Sequence, residues 1–91
     1  MFRESASPGK GEELPPRSLR SPRHELLRAF LIEKRKAAGL TQAAVAERLN
    51  IHRTYVTDIE RGERRVDVVE LFALAEAIGF DPAEAIARMK D

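Results

Sequence analysis

Apolar residues recur at the three- and four-residue spacings of a helix face from about His24 onwards. The first such face comprises Leu27, Phe30, Leu31, Arg35 and Ala38. Gly39 follows this face, and glycine is the usual residue just past the end of a helix. The pattern therefore predicts a first helix that begins near His24 and ends before Gly39.

A second and a third helix are predicted directly after it. Thr41 can cap the second helix, because a threonine hydroxyl accepts from the free N–H groups of the first turn. The inward residues of that helix are Val45, Ala46 and Leu49. Asn50 then tolerates the left-handed backbone of a tight turn. The third helix runs from about His52 to Arg61 and ends at Gly62. Its inward residues are Val56 and Ile59, with Tyr55 beside them.

The last part of the chain carries two more sets of helix signals. Asp67 and Glu70 have the spacing of a capping box, and Gly79 marks the end of that fourth helix. Its apolar residues are Val68, Leu71, Phe72, Leu74, Ala75 and Ile78. Asp81 and Pro82 then start a fifth helix that bears Ala85, Ile86 and Met89. No strand pattern is present, so the sequence predicts an all-α fold of five short helices around one core.

The N-terminal segment, residues 1–22, has a different composition. It is rich in Ser, Pro, Gly and charge, and its prolines deny the backbone a helix. We therefore expect a disordered tail over 1–22 and one folded domain over 23–91. Arginines at 17, 20 and 23 would allow the tail to lie along DNA, as basic arms do in a minor groove. A tail without a role, or one that contacts a protein partner, is the alternative.

Composition removes several classes of function. The chain of 91 residues has no cysteine, so a disulfide framework and a cysteine-based zinc site are excluded. It has two histidines, no glycine-rich phosphate loop and no histidine pair at metal-ligand spacing. We expect no enzyme activity, no cofactor, no metal and no small-molecule ligand. No segment is apolar enough to span a bilayer and the start does not resemble a signal peptide, so a cytoplasmic protein without membrane contact is expected.

Charge is distributed unevenly although the net charge is only +1. Residues 1–40 hold nine Lys/Arg against five Asp/Glu, whereas residues 66–91 hold two against six. Such a chain can present a basic side to phosphate and keep an acidic side away from it. Ordinary surface solubility explains the same distribution equally well.

The second and third helices, joined by about three residues around Asn50, have the connection length of a helix-turn-helix. At 100° per residue the third helix turns its polar residues outward. Arginine, threonine and aspartate side chains can contact base edges in the major groove. The candidate base-reading residues are Arg53, Thr54, Thr57 and Asp58. The candidate phosphate-binding residues are Gln42, His52, Tyr55, Arg61, Arg64 and Arg65. The alternative is a solvated face on which Asp58 and Arg61 pair with each other.

The sequence from residue 24 to 80 resembles the Cro/lambda-repressor-like family, also called the xenobiotic-response-element type of helix-turn-helix. The pieces that carry the resemblance are L-T-Q at 40–42, A-x-x-L at 46–49, Y-V-x-x-I-E-R-G at 55–62 and L-A-x-A-I-G at 74–79. The resemblance implies a compact five-helix fold and a dimer that binds a two-fold symmetric operator in double-stranded DNA. It places Gln42, Arg53, Thr54 and Asp58 at the DNA-facing positions.

The resemblance also implies a structural ion pair between Arg35 and Glu60, which agrees with the place of Arg35 on the inward stripe. The chain departs from the family at two positions: Asn50 stands where glycine is usual, and His52 stands where a serine or threonine cap is usual. We expect His52 to leave the third helix poorly capped, unless its imidazole faces a phosphate.

We therefore predict a transcriptional regulator that binds as a homodimer, with the third helices in successive major grooves about 34 Å apart. The candidate dimer contacts are Leu26, Ile32, Ile86 and Met89, unless these residues only complete the core. The runner-up is the antitoxin of a toxin–antitoxin pair, which binds DNA and neutralises a partner protein. The phrase I-H-R-T-Y-V-T-D-I-E-R-G also resembles controllers of restriction–modification operons, but phage-type repressors and antitoxins share much of it.

Overall fold

A computed structural model describes residues 21–90, and over this range the chain forms five helices and no strand. The helices are α1 (Pro22–Ala37), α2 (Gln42–Leu49), α3 (Arg53–Glu60), α4 (Val68–Ile78) and α5 (Pro82–Lys90). This confirms the predicted all-α fold. The tail prediction for residues 1–20 lies outside the described part. None of the helices within it has the length and apolar character needed to cross a membrane.

The first helix begins two residues before the expected position. Pro22 is its first residue, because a proline in the first turn sacrifices only an N–H that has no helical acceptor. The hydroxyl of Ser21 caps the helix and accepts from the backbone N–H of His24 at 3.1 Å. Pro22 therefore belongs to α1, with Ser21 as its cap, rather than to the tail.

The other helix ends follow the local signals in the sequence. Thr41 accepts from the N–H of Ala44 at 3.0 Å, and Asp67 and Glu70 form both bonds of a capping box. Four helices are followed within two residues by a residue with positive φ, namely Gly39, Asn50, Gly62 and Gly79. Asn50 is the instructive case: it holds φ 58° as the one described residue other than glycine with positive φ, and so makes the tight turn between α2 and α3.

The core lies between α1 and the remaining helices. Phe30 is fully buried at its centre, and its ring meets the ring of Phe80 edge to face with centroids 5.0 Å apart. Buried around this pair are Leu27, Leu31, Val45, Ala46, Val56, Ile59, Leu71, Leu74, Ala77, Ile78 and Ala85. Burial of this apolar surface is the main stabilisation available to a domain of this size. It fixes α3 against α1 and α2, and thereby the direction in which α3 presents its outer face.

Helix α4 buries only part of its predicted apolar surface. Val68 and Phe72 belong to that surface, but they are 66% and 55% exposed. The reason is that α4 is apolar on nearly all sides, while the core accepts only one stripe of it. Leu71, Leu74 and Ile78 occupy that stripe, since they lie three and four residues apart.

Candidate nucleic-acid interface

Helices α2 and α3 form the predicted helix-turn-helix. Three residues, from Asn50 to His52, connect them, and the left-handed Asn50 lets the chain reverse within that length. Val45 of α2 and Val56 and Ile59 of α3 are buried in the common core. Their packing leaves the opposite side of α3 on the surface of the molecule.

The outer face of α3 is polar. Arg53, Thr54 and Arg61 are exposed, and Asp58 is half-buried beside them. Within residues 21–90 the side chains of Arg53, Asp58 and Arg61 take part in no hydrogen bond or ion pair, so Asp58 and Arg61 do not neutralise each other. Two guanidinium groups and one carboxylate are therefore available to a ligand along a helix of eight residues.

His52 caps α3, contrary to our expectation from its residue type. Its Nδ1 atom accepts from the backbone N–H of Thr54 at 3.3 Å and lies 2.7 Å from the Thr54 hydroxyl oxygen. The imidazole replaces the serine or threonine hydroxyl because Nδ1 is placed to reach the first turn. The cap therefore ties the side chain of Thr54 to that of His52 at the start of the helix.

Arg35 and Glu60 form a bidentate ion pair between α1 and α3. The Nε and Nη2 atoms of Arg35 donate to the two carboxylate oxygens at 2.6 and 3.0 Å. The hydrogen bond to Glu60 raises the pKa of Arg35 above its ordinary value. The two side chains are only 12% and 8% exposed, so each needs the other to offset the loss of hydration. The pair fixes the C-terminal end of α3 to α1.

Gln42 and Thr57 extend this network toward the surface. The side-chain amide of Gln42 donates to Glu60 at 2.8 Å, and its oxygen accepts from the Thr57 hydroxyl at 2.9 Å. Both side chains thus have intramolecular partners for these groups. The second amide hydrogen of Gln42 remains available to a phosphate, as do the N–H groups at the start of α2. Thr57 retains its lone pairs and methyl group.

The loop after α3 holds the remaining candidates in different ways. The guanidinium of Arg64 stacks on the ring of Tyr55, 4.3 Å from its centroid, and its Nη2 lies 2.5 Å from Glu70. The other Glu70 oxygen accepts from the backbone N–H of Asp67 at 3.0 Å. Burial raises the pKa of Tyr55, against a lowering by its hydrogen bond to Arg64. Arg64 is therefore held in place, whereas Arg61 is not.

Several other arginines donate hydrogen bonds to backbone carbonyls at helix ends and so are not directed at a ligand. Arg48 donates to the carbonyl of Ala77 at 2.7 Å, and Arg23 donates to the carbonyl of Met89 at 3.0 Å. Arg28 donates to the carbonyl of Glu60. Each carbonyl belongs to the last turn of a helix, where no helical donor is available and the dipole favours a cation. Much of the basic charge counted in the sequence is thus structural, which charge counting has no means of detecting.

The candidate dimer residues are separated by the structure. Ile86 is 45% exposed, whereas Leu26 and Ile32 are half-buried and Met89 packs against the core. An exposed apolar face, formed by Val68, Val69, Phe72 and Ile86, lies across α4 and α5. Three of these residues line a groove of about 320 Å³ together with Leu71, Asp81, Pro82 and Ala83. The sequence did carry a signal for this face, namely that α4 has more apolar residues than one stripe can bury.

Comparison with known proteins places the chain in a family. The sequence profile of a helix-turn-helix family matches residues 31–84. The control protein C.BamHI of Bacillus amyloliquefaciens is 33% identical over 49 residues, which are 54% of this chain and 60% of that protein. The alignment thus spans less than two thirds of C.BamHI.

Two solved structures are similar in both fold and sequence. An XRE-family like protein from Pseudomonas syringae pv. tomato str. DC3000 superposes with a TM-score of 0.74 at 34% identity, covering 81% of this chain and 90% of that one. The restriction-modification controller protein C.AhdI from Aeromonas hydrophila superposes with a TM-score of 0.63 at 35% identity, covering 68% of this chain and 94% of that one. With the profile matching more than half of its residues, the chain belongs to the helix-turn-helix family of XRE, Cro/lambda-repressor-like transcription regulators.

Proposed function

We propose that this protein binds a two-fold symmetric operator in double-stranded DNA as a homodimer and regulates transcription from it. Helix α3 enters the major groove with its N-terminal residues toward the base edges. The observation that carries the proposal is the outer face of α3, where Arg53, Asp58 and Arg61 are left without partners on a rigidly anchored helix.

The base-reading roles follow from chemistry and position. Arg53 is exposed at the first position of α3 and can donate two hydrogen bonds to guanine. Thr54 lies beside it, and Asp58 lies one turn further and accepts from cytosine. Thr57 contributes its methyl and lone pairs, because its hydroxyl hydrogen is given to Gln42.

The phosphate contacts surround these residues. Arg61 is exposed at the end of α3, and Arg64 and Arg65 follow in the loop. Arg64 reaches a phosphate from its stacked position on Tyr55, which lowers the entropy lost on binding. At the other end, His52 and the N-terminal turn of α2, which begins at Gln42, approach the backbone.

The homodimer would be formed through the apolar face of α4 and α5. Val69 and Phe72 are 77% and 55% exposed there, whereas Leu71 and Leu74 of the same helix are buried. A second copy placed on this face removes the same residues from water in both subunits, as a two-fold interface requires. Of the residues first considered, Ile86 belongs to this face. Leu26, Ile32 and Met89 are better explained as completing the domain's own packing.

The relatives agree with a controller of gene expression. C.BamHI is described as a control protein, and C.AhdI as a restriction-modification controller protein. By this similarity we propose that the chain regulates a small operon, with its own gene as the first candidate target. The concentration of dimer would set the occupancy of the operator, and the occupancy would determine the rate of transcription.

A competition experiment tests the proposal. Labelled DNA from upstream of the protein's own gene is titrated with the full chain in the presence of random competitor DNA, over a series of salt concentrations. We expect a preference of about a thousandfold or more for the upstream DNA. Equal, weak binding of both DNAs with a steep salt slope would reduce the interaction to phosphate contacts alone. A partner-neutralising antitoxin would then be the better description.

A further inference from the structure

The first turn of α3 contains a hydrogen bond between two side chains that both lie on the proposed DNA-facing surface. His52 Nδ1 lies 2.7 Å from the hydroxyl oxygen of Thr54. The same nitrogen accepts from the backbone N–H of Thr54 at 3.3 Å, and both side chains are exposed. The bond is therefore at the surface that a DNA duplex would contact rather than in the core.

The donor in the 2.7 Å contact depends on the tautomer of His52, and the backbone contact assigns that tautomer. A backbone N–H can only donate, so Nδ1 must present a lone pair rather than a hydrogen. The neutral imidazole then carries its hydrogen on Nε2. Because Nδ1 has no hydrogen to give, the 2.7 Å contact must use the hydrogen of the Thr54 hydroxyl. The backbone N–H of Thr54 thus sets the tautomer of His52, and that tautomer sets the direction in which the Thr54 hydroxyl donates.

This arrangement changes what Thr54 offers to a ligand. A free threonine hydroxyl can rotate to donate or to accept, and so does not distinguish an amino group from a carbonyl. With its one hydrogen given to His52, Thr54 presents only lone pairs and a methyl group to the outside. In the major groove, amino donors belong to adenine N6 and cytosine N4, whereas guanine O6 and thymine O4 are acceptors.

We propose that His52 is a positioning residue which holds the Thr54 hydroxyl as a hydrogen-bond acceptor, so that Thr54 selects a base with an exocyclic amino group, adenine or cytosine. The inference rests on the proposed binding of α3 in the major groove and adds the chemical class of base that one position reads. Guanine or thymine at that place leaves a carbonyl facing the hydroxyl oxygen, or requires the bond to His52 to break. One neutral hydrogen bond gives a preference of roughly three- to tenfold.

The test uses the full chain and a set of duplexes. Wild-type protein first selects its preferred duplex from a random library. The base read by Thr54 is the position at which Thr54→Val, which keeps the shape and removes the hydroxyl, loses discrimination. Affinities are then measured for four duplexes that differ only at that base pair. His52→Ser is the informative variant, because serine is a good helix cap but leaves the Thr54 hydroxyl free to rotate.

We expect wild type to favour adenine or cytosine by roughly three- to tenfold, and His52→Ser to reduce this preference to about twofold or less. In the Thr54→Val background, His52→Ser should have no further effect on the preference, since the two residues act through one bond. Thr54→Ser, which keeps the hydroxyl and loses the methyl, should retain the preference. Urea unfolding of each variant checks that the fold is intact.

An independent readout is the tautomer of His52, measured from the ¹⁵N chemical shifts of its ring in the free protein. We expect the hydrogen on Nε2 in the wild type. A hydrogen on Nδ1, or an unchanged base preference in His52→Ser, would overturn this inference while leaving DNA binding by α3 intact. A wild type that selects no sequence at all would overturn the proposed function and the inference together.

Discussion

The outer face of α3 and the apolar face across α4 and α5 differ in the free energy that their exposure to water costs. On α3 the exposed groups are charged, and Arg53 and Arg61 remain well hydrated without a protein partner. On the other face Val69 and Phe72 are 77% and 55% exposed, and the contact of their apolar side chains with water is unfavourable. The first face therefore fits the proposed DNA ligand, whose phosphates and base edges would replace water. The second fits the proposed second subunit, which would exclude water from the apolar side chains.

The largest effect is expected from a charge placed on the apolar face. Phe72→Glu should leave the fold intact, because the side chain is more than half exposed, but should dissociate the proposed dimer. Covering the exposed half of Phe72 is worth only roughly 1–1.5 kcal/mol, but a carboxylate buried in its place costs several kcal/mol more. A two-fold interface takes this loss twice, so the affinity of the proposed dimer should fall by about a thousandfold or more. Sedimentation equilibrium measures this change.

The matched control for that variant is Glu47→Lys, an exposed charge change on α2. It should leave the dimer affinity within about threefold of wild type, since isolated surface charges contribute little. A dimer that survives Phe72→Glu would show that the apolar face is not the interface between subunits.

The next effect concerns the anchor that makes α3 a rigid reading surface. Glu60→Ala leaves the guanidinium of Arg35 buried without its carboxylate, which should lower the free energy of unfolding by about 3–5 kcal/mol. Urea unfolding measures the loss. Glu33→Ala is the control, because the exposed pair of Glu33 with Arg88 should be worth only about 0–1 kcal/mol. Equal losses in the two variants would contradict the structural role of Glu60.

A smaller effect separates the two kinds of contact on the α3 side. Arg53→Ala should weaken binding to the preferred operator by about 1–3 kcal/mol and relax selection at one base pair. Arg64→Ala should instead weaken all DNA sequences about equally and reduce the salt slope by about one. Neither change should alter the dimer affinity measured by sedimentation. A sequence-selective loss in Arg64→Ala would contradict the division between base and phosphate contacts.

The smallest effect lies at Tyr55, whose ring is stacked by Arg64, which in turn pairs with Glu70 of α4. Tyr55→Phe keeps the ring and removes only the hydroxyl, so it should cost no more than about 1 kcal/mol at neutral pH. Because burial raises the pKa of Tyr55 above the ordinary value of 10.0, its contribution is complete below that pH and is lost as the pH rises through the folded-state pKa. The stability gap between wild type and variant should therefore narrow above about pH 10. A gap that stays constant up to pH 11.5 would contradict this burial.

Sequence reasoning succeeded where the signal is local. The caps Thr41 and Asp67 and the turn at Asn50 were predictable, because each acts within a few residues of itself. The start of α1 at Pro22 was missed because a proline read alone suggests a break, whereas its place after Ser21 makes it a first-turn residue.

The surfaces were harder to predict because they depend on packing between distant elements. Periodicity included Phe72 in the apolar surface of α4, but it does not show how wide a stripe of that helix the other helices can cover. Residue type suggested that Arg64 was free, yet Tyr55 and Glu70 hold it. His52 looked like a poor cap, but the imidazole reaches the backbone of Thr54. In each case a tertiary or side-chain contact decided the result.

The most direct test of a reading surface on α3 is a titration of ¹⁵N-labelled protein with its preferred duplex, monitored by backbone amide shifts. We expect the largest changes at residues 52–61 and in the first turn of α2, with only small changes along α4 and α5. Shifts concentrated on α4 and α5, with α3 unaffected, would show that the apolar face and not α3 meets the DNA.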